Sequence, residues 1–326
     1  MTLDSQIERA AAILRGGGLV AFPTETVYGL GANALDERAV ARVFEVKARP
    51  RFDPLIVHVA GVDWVARLAE RFPPLARDLI DRFWPGPLTL VVPKRPVVPD
   101  LVTAGCPTVA LRMPDHPVAQ ELLRAANTPL AGPSANRFGR ISPTTADHVR
   151  EQLGDQIDLI LEGGACRVGI ESTVLQLTDD RPILLRPGGT TLEEIQQVAG
   201  EVLVPADGSV AASPGGLASP GMLPQHYAPR TPLVVRGRET AGAGEREAAT
   251  GARVGLLAFR SGGDVARFVC VEVLSPSGNL REAAANFFAA LRRLDAAGLD
   301  LIVAEPLPDA GLGRAVNDRL RRAAHP

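Results

Sequence analysis

Lys47 and Arg49 share one turn of chain directly before Pro50, and this is the first place in the sequence where residue types and spacing suggest chemistry. Two cations so close repel each other, so holding them together is favourable where an anion comes between them. The plainer alternative is a helix C-terminus whose basic residues complement the helix dipole. Further polar groups stand where strands should end: Thr24 and Thr26, Arg112, Ser134 and Asn136, Ser172, and Arg186. Strand-end loops are where open α/β sheets bind ligands. Cations mixed with hydroxyl and amide groups suit a polyphosphate, or a phosphate beside a carboxylate, in a site that works by positioning and charge stabilisation. Each group alone has a structural reading. Thr24, Thr26, Ser134 and Asn136 serve turns, His58 is a hydrogen-bonded core histidine, and Arg112 and Arg186 form ion pairs. No nucleophile with an identifiable base accompanies them: there is no G-x-S-x-G, no Walker A lysine, and no G-x-G-x-x-G opening a helix after a strand.

The elements that must position these groups alternate between helix and strand. Ser5–Glu8 has capping-box spacing ahead of a helical stripe of Ile7, Ala10, Ala11 and Leu14. A short strand Leu19–Phe22 leads into a polar, glycine-punctuated loop, Pro23–Gly31. Asp36 caps a helix with the apolar face Val40, Val43 and Phe44, and that helix delivers Lys47 and Arg49. Strands are expected at Leu55–Val59, Leu88–Val92, Thr108–Arg112, Leu159–Leu161, Ser172–Leu177 and Ile183–Arg186. Helices fit Val62–Glu70, Leu75–Phe83, the stretch after His116-Pro117, the stretch after Ser142–Thr145, and Leu192–Val198. Interleaving of this kind gives the α/β class, with one twisted mixed β-sheet and flanking helices. Residues 205–230 hold five prolines and four glycines and read as a linker. Beyond it, four strands and two helices predict a smaller Rossmann-like α/β domain, with a mobile loop at Gly237–Gly251. The expected division is therefore 1–204, 205–230 and 231–326.

Composition excludes several classes. The chain has 326 residues, 46% of them apolar and 22% charged, with a net charge of −2. That is a soluble globular mix, without the basic excess that grips nucleic acid along its whole length. Cys106, Cys166 and Cys270 are far apart and odd in number, so they build no disulfide framework and point to a reducing cytosol. The five histidines have no metal-ligand spacing. An apolar signal core and any run of membrane-spanning length are both absent, so the expected compartment is the cytoplasm.

Taken in order, VAFPTETVYGLGANA (Val20–Ala34), KARP (Lys47–Pro50), DPLIVHV (Asp53–Val59), WPGPLT (Trp84–Thr89), TVALRMPDHP (Thr108–Pro117), GPSAN (Gly132–Asn136), GIESTV (Gly169–Val174) and LLRPG (Leu184–Gly188) resemble the YrdC-like family of threonylcarbamoyl-AMP synthases. The proline-rich linker with His226-Tyr227-Ala228-Pro229 resembles the long form of that family, which carries a C-terminal domain. The resemblance implies condensation of ATP, L-threonine and bicarbonate or CO2 into threonylcarbamoyl-AMP and pyrophosphate. A separate complex then transfers the group to a tRNA adenosine next to the anticodon. Both reactants are anionic, which accounts for clustered cations and for Mg2+ on the ATP phosphates. By the same resemblance Lys47, Arg49, Ser134 and Asn136 surround the reacting centre. Arg49, Asp53, Thr108, Ser134, Ser142, Arg186, His226 and Tyr227 contact ATP, and the linker acts as a lid. Thr26, His58, Arg112, Gly132 and Ser172 form the threonine pocket, with Arg112 as the fork for its carboxylate. No protein-held metal is expected. The family has Asn where this sequence has Asp53, and a carboxylate there repels phosphate unless a metal or Arg51 compensates.

Two other readings remain at this level. One is an RNA-binding or ribosome-associated module using the same cationic concavity, disfavoured by the near-neutral charge and few aromatics. The other is a carbamoyl-transfer accessory domain acting on carbamoyl phosphate.

Overall fold

Near-continuous apolar runs such as VAF, LTLVVP and TVALR form buried strands, and amphipathic helices cover them. The computed structural model describes residues 2–178, 181–205, 226–237, 251–262 and 265–325. Its chain divides into two compact units, Met1–Phe138, Pro143–Arg167 and Glu171–Met222 in the first, and Gly139–Ser142, Val168–Ile170 and Leu223–Pro326 in the second.

The first unit is built on a nine-stranded mixed sheet. Its strands are β1 (Val20–Phe22), β2 (Gly29–Asn33), β3 (Ile56–His58), β4 (Leu88–Pro93), β5 (Thr108–Arg112), β6 (Leu130–Ala131), β7 (Leu159–Ile160), β8 (Thr173–Gln176) and β9 (Ile183–Arg186), in the order β7-β1-β2-β6-β3-β5-β4-β8-β9. The helices are α1 (Leu3–Arg15), α2 (Glu37–Lys47), α3 (Val62–Leu68), α4 (Pro74–Phe83), α5 (Asp100–Thr103), α6 (Pro117–Ala126), α7 (Ala146–Leu153) and α8 (Leu192–Ala199). Side chains alternate across the strands, so each face has its own core. In β1, Ala21 joins the large cluster with Val40, Val43 and Phe44 of α2, while Val20 and Phe22 pack with Ala10, Ala11 and Leu14 of α1 and Leu122 and Leu123 of α6. In the middle strands Val57, Leu90, Leu111 and Leu175 join the large cluster. Their neighbours Ile56, Val91, Ala110, Val174 and Leu185 form a small separate one on the other face. His58, Thr89 and Arg112 fall by the same alternation on the face of that small cluster, which becomes the floor beneath them.

Two local expectations are corrected. Ser5 does not cap α1. Thr2 does, accepting the Ser5 N–H at 3.3 Å, and Ser5 lies inside the first turn. The loop foreseen through Gly31 ends earlier, because β2 starts at Gly29 and pairs antiparallel with β1. A Cβ on Gly31 would stand 3.0 Å from the Phe22 ring, so glycine here marks a close approach within a strand.

The second unit has a four-stranded, wholly parallel sheet of β10 (Leu233–Val235), β11 (Val254–Ala258), β12 (Cys270–Val273) and β13 (Leu301–Ala304), ordered β10-β13-β11-β12. Helices α9 (Leu280–Ala296), capped by Asn279, and α10 (Leu312–Ala323) accompany it. This matches the α/β pattern read from the sequence. Of the loop expected at Gly237–Gly251, residues 238–250 lie outside the described residues, as do 206–225 of the linker. Among the described residues no helix is long and apolar enough to cross a membrane.

Candidate active site

Helix α2 stops because Ala48 turns left-handed, with φ 52, while the N–H groups of Ala48 and Arg49 bond back to Glu45 and Phe44. The turn carries Lys47 inward. Its side chain is 1% exposed, and its ammonium donates to the carbonyls of Ser134, at 2.5 Å, and of Asn136. The Phe138 N–H closes the loop onto the Lys47 carbonyl at 2.9 Å. Burial, and secondly Arg49, pull the Lys47 amine well below the lysine range. Arg49 donates from Nε to the Asp53 carbonyl at 3.1 Å and from Nη2 to the Pro54 carbonyl at 2.8 Å. The same Nη2 lies 2.9 Å from the Asp53 carboxylate. No hydrogen bond is aligned on either Asp53 oxygen among the described residues, so the pairing there is one of charge. Burial raises the Asp53 carboxyl above its usual range, opposed by Arg49, Lys47 and Arg186.

Two expectations change. The compensating cation is Arg49, whereas Arg51 is exposed. And an anion for Arg49 is already part of the chain, since Asp53 lies against it.

The remaining groups form a row across the sheet. His58 of β3 pairs in register with Arg112 of β5. Thr89 of β4 falls one residue beyond the Leu90–Leu111 pairing, opposite Arg112. The Thr89 hydroxyl lies 2.8 Å from that of Ser172, and Arg186 grips the Ser172 carbonyl through Nε at 3.2 Å and Nη2 at 2.9 Å. The Arg186 charge also acts on the Asp53 carboxyl, next to the Lys47–Arg49 turn. His58 is wholly buried; burial, then Arg112, push its imidazole down to about 3, so it is neutral. Gly132 leaves room beside it, for a Cβ there would stand 2.8 Å from the His58 Nδ1. Thr24 spends its hydroxyl hydrogen on the Val27 carbonyl at 2.7 Å. In the 2.8 Å contact between Thr24 and Thr26 the donor is therefore Thr26.

Arg112 is not a free fork. Its Nε donates to the Gly86 carbonyl at 3.2 Å and its Nη2 lies 2.7 Å from the Glu25 carboxylate. Thr108 stands at the far end of β5 from Arg112, about 13 Å along the strand by its rise per residue. Ser142, His226 and Tyr227 belong to the second unit. There Tyr227 is fully buried at φ 64, with its ring 5.7 Å from that of Phe288 and the Arg319 guanidinium 5.4 Å from its centroid. A groove of about 540 Å³ lined by Val62, Val65, Phe72, Ile80, Arg77 and Arg95 among others contains none of the predicted site residues.

Two family profiles match this chain, one described as Telomere recombination over residues 12–188 and one described as Threonylcarbamoyl-AMP synthase, C-terminal domain, over residues 190–325. The chain belongs to the YrdC-like family of threonylcarbamoyl-AMP synthases. It is 46% identical to the threonylcarbamoyl-AMP synthase of Pyrococcus abyssi, over 98% of this chain and 94% of that one. It is 44% identical to the Bacillus subtilis synthase, over 99% and 94%. The solved structure of P. abyssi Sua5 complexed with L-threonine superposes with a TM-score of 0.91 at 45% identity, covering 98% of this chain and 94% of that one.

Within this synthase fold, sequence reasoning missed Glu25 and Thr89. Thr89 is an ordinary threonine in an apolar run. Glu25 is an acidic residue in a loop, and nothing local says that it will be wholly buried. A carboxylate inside the densest motif of the chain, PTETVYG, was the available signal.

Proposed function

We propose that this protein condenses ATP, L-threonine and bicarbonate or CO2 into L-threonylcarbamoyl-AMP, releasing pyrophosphate, in the cytoplasm, and that a separate complex passes the group to tRNA. The observation that carries the reading is the row of buried polar groups across the sheet, from His58 and Arg112 through Thr89 and Ser172 to Arg186, whose charge reaches Asp53 beside the Lys47–Arg49 turn. One end suits an amino-acid carboxylate and a neutral acceptor, the other a polyphosphate. The chemistry needs that adjacency. The threonine nitrogen adds to the carbon of CO2 and loses a proton to water, and a carbamate oxygen then displaces pyrophosphate from the α-phosphorus. Two anions must meet, and fixed cations lower that barrier without a protein nucleophile. A fully protonated Lys47 has three N–H donors, of which two hold Ser134 and Asn136, leaving one for a phosphate oxygen. An arriving anion favours that charged form.

Mg2+ enters this proposal with ATP. Among the described residues no group of three or more His, Cys, Asp or Glu could hold a metal, and the one carboxylate at the phosphate end, Asp53, is ringed by Lys47, Arg49 and Arg186. The residues thus fit a cation carried on the phosphates, where it offsets their charge. Pyrophosphate release from ATP, measured with and without L-threonine and bicarbonate, tests the reading. Release should require both, and release indifferent to threonine would refute it.

A further inference from the structure

Glu25 has no part in the chemistry above, yet it is a wholly buried carboxylate beside the site. Oε2 accepts the Asp115 N–H at 3.0 Å and Oε1 faces the Arg112 Nη2 at 2.7 Å. Neither nearby titratable side chain takes up this charge. Burial, then Glu25 itself, push the Cys166 thiol up to about 12, so it stays protonated, and burial shifts His116 down.

A buried ion pair is weak evidence of stabilisation, because desolvation offsets much of its attraction. What distinguishes this one is what it does to the guanidinium. Glu25 takes Nη2 and the Gly86 carbonyl takes Nε, while the Arg112 side chain is 4% exposed. Nη2 has no aligned hydrogen bond among the described residues, so Glu25 holds it by charge, and no hydrogen bond there engages Nη1. A directed hydrogen bond at Nε and a fixed charge 2.7 Å from Nη2 together limit how far the planar group can turn. The remaining N–H donors are therefore held on the strand next to that of His58, whose Nδ1 borders Gly132.

We propose that Glu25 is a positioning residue for the amino-acid substrate: it locks Arg112 so that Nη1 meets the α-carboxylate in a single geometry. The proposal rests on the synthase reading of this site. It also sets the character of the pocket. The Glu25–Arg112 pair is neutral overall, so the carboxylate of the substrate is oriented more than it is attracted. The pocket then takes a small α-amino acid through geometry, with one directed hydrogen bond from Nη1 and the neutral His58 beside it.

The test is calorimetric titration of L-threonine, and separately of ATP, into the full-length protein and its Glu25→Gln, Glu25→Asp, Arg112→Gln and Glu25→Gln/Arg112→Gln variants. Both Glu25 oxygens face donors, so a glutamine amide must turn N–H at one of them. Glu25→Gln should weaken threonine at least tenfold and leave ATP affinity within twofold. In turnover, the threonine KM should rise while kcat at saturation stays within twofold. The double variant should bind threonine no worse than Arg112→Gln alone, because the two residues act as one unit. Losses that multiply in the double variant, or unchanged threonine affinity in Glu25→Gln, would overturn the proposal. Should Glu25→Gln lose ATP binding as well, Glu25→Asp decides: weaker threonine with normal ATP supports positioning, and parallel loss of both overturns it. Wild-type protein that binds no threonine would overturn the synthase reading and this proposal together, whereas failure in the variants alone removes only the role of Glu25.

Discussion

The Arg49 guanidinium and the Asp53 carboxylate lie 2.9 Å apart, one short turn beyond the end of α2, and both are buried. If ATP binds as proposed, the chain supplies its own anion where a phosphate would sit, and ATP would compete with it. Asp53→Asn removes that competitor while keeping the shape. ATP should bind roughly 3- to 10-fold more tightly, the scale of about 1 kcal/mol. The melting temperature should fall, because Arg49 is left buried without its counter-charge. Calorimetric ATP titration and thermal unfolding measure the two effects; weaker ATP binding would show that the carboxylate helps to hold the nucleotide.

Lys47 ties the end of α2 to the Ser134–Asn136 turn, so its ammonium has a structural and an electrostatic task. Lys47→Met keeps the stem and removes both. Turnover should fall at least tenfold, corresponding to about 1.4 kcal/mol or more of lost transition-state stabilisation. Arg49→Ala should do the same. Pyrophosphate release by either variant within twofold of wild type would contradict these roles.

His58 gives a pH dependence with a definite sign. Its imidazole titrates near 6.5 in the unfolded chain and is pushed down to about 3 in the fold. Between those values the unfolded state binds a proton that the folded state refuses. The stability contribution is complete above pH 6.5 and is lost progressively as the pH falls toward 3, by an amount on the order of a few kcal/mol. Urea unfolding midpoints measured from pH 7 to 4 should fall more steeply for wild type than for His58→Gln. Parallel curves would mean that His58 is not the group responsible.

Gly132→Ala places a methyl group 2.8 Å from the His58 Nδ1, too close for either to stay in place. The threonine KM should rise severalfold with little change in ATP affinity. Steady-state kinetics varying each substrate in turn would show it, and an unchanged threonine KM would place the pocket elsewhere.

Local pattern made much of this legible. Asp36 caps α2 as its position suggests, and the helix ends at Lys47, before the proline. The apolar runs from Val20 to Arg186 became the strands of one mixed sheet. Strand β2 was hidden because Gly29 and Gly31 read as loop, and only the Phe22 ring packed against them explains glycine in a strand. The counter-ions of Arg49 and Arg112 were hidden for a related reason. Arg112 meets Glu25 only once β5 is in the sheet, and a four-residue step from Arg49 to Asp53 reads as an ordinary loop until both are seen to be buried. Spacing places a charge on an element, whereas its counter-ion is chosen by packing.

The row that runs from His58 to Arg186 also sets a timetable for synthesis. Its members come from four strands and the residue that precedes a fifth, β8, and the last to leave the ribosome is Arg186, at the end of the edge strand β9. At about 5 to 20 residues per second, the stretch from His58 to Arg186 takes several seconds to emerge. Throughout that interval the earlier members of the row stand without Arg186. The first strands must therefore be held by their apolar faces and backbone pairing before the site is complete.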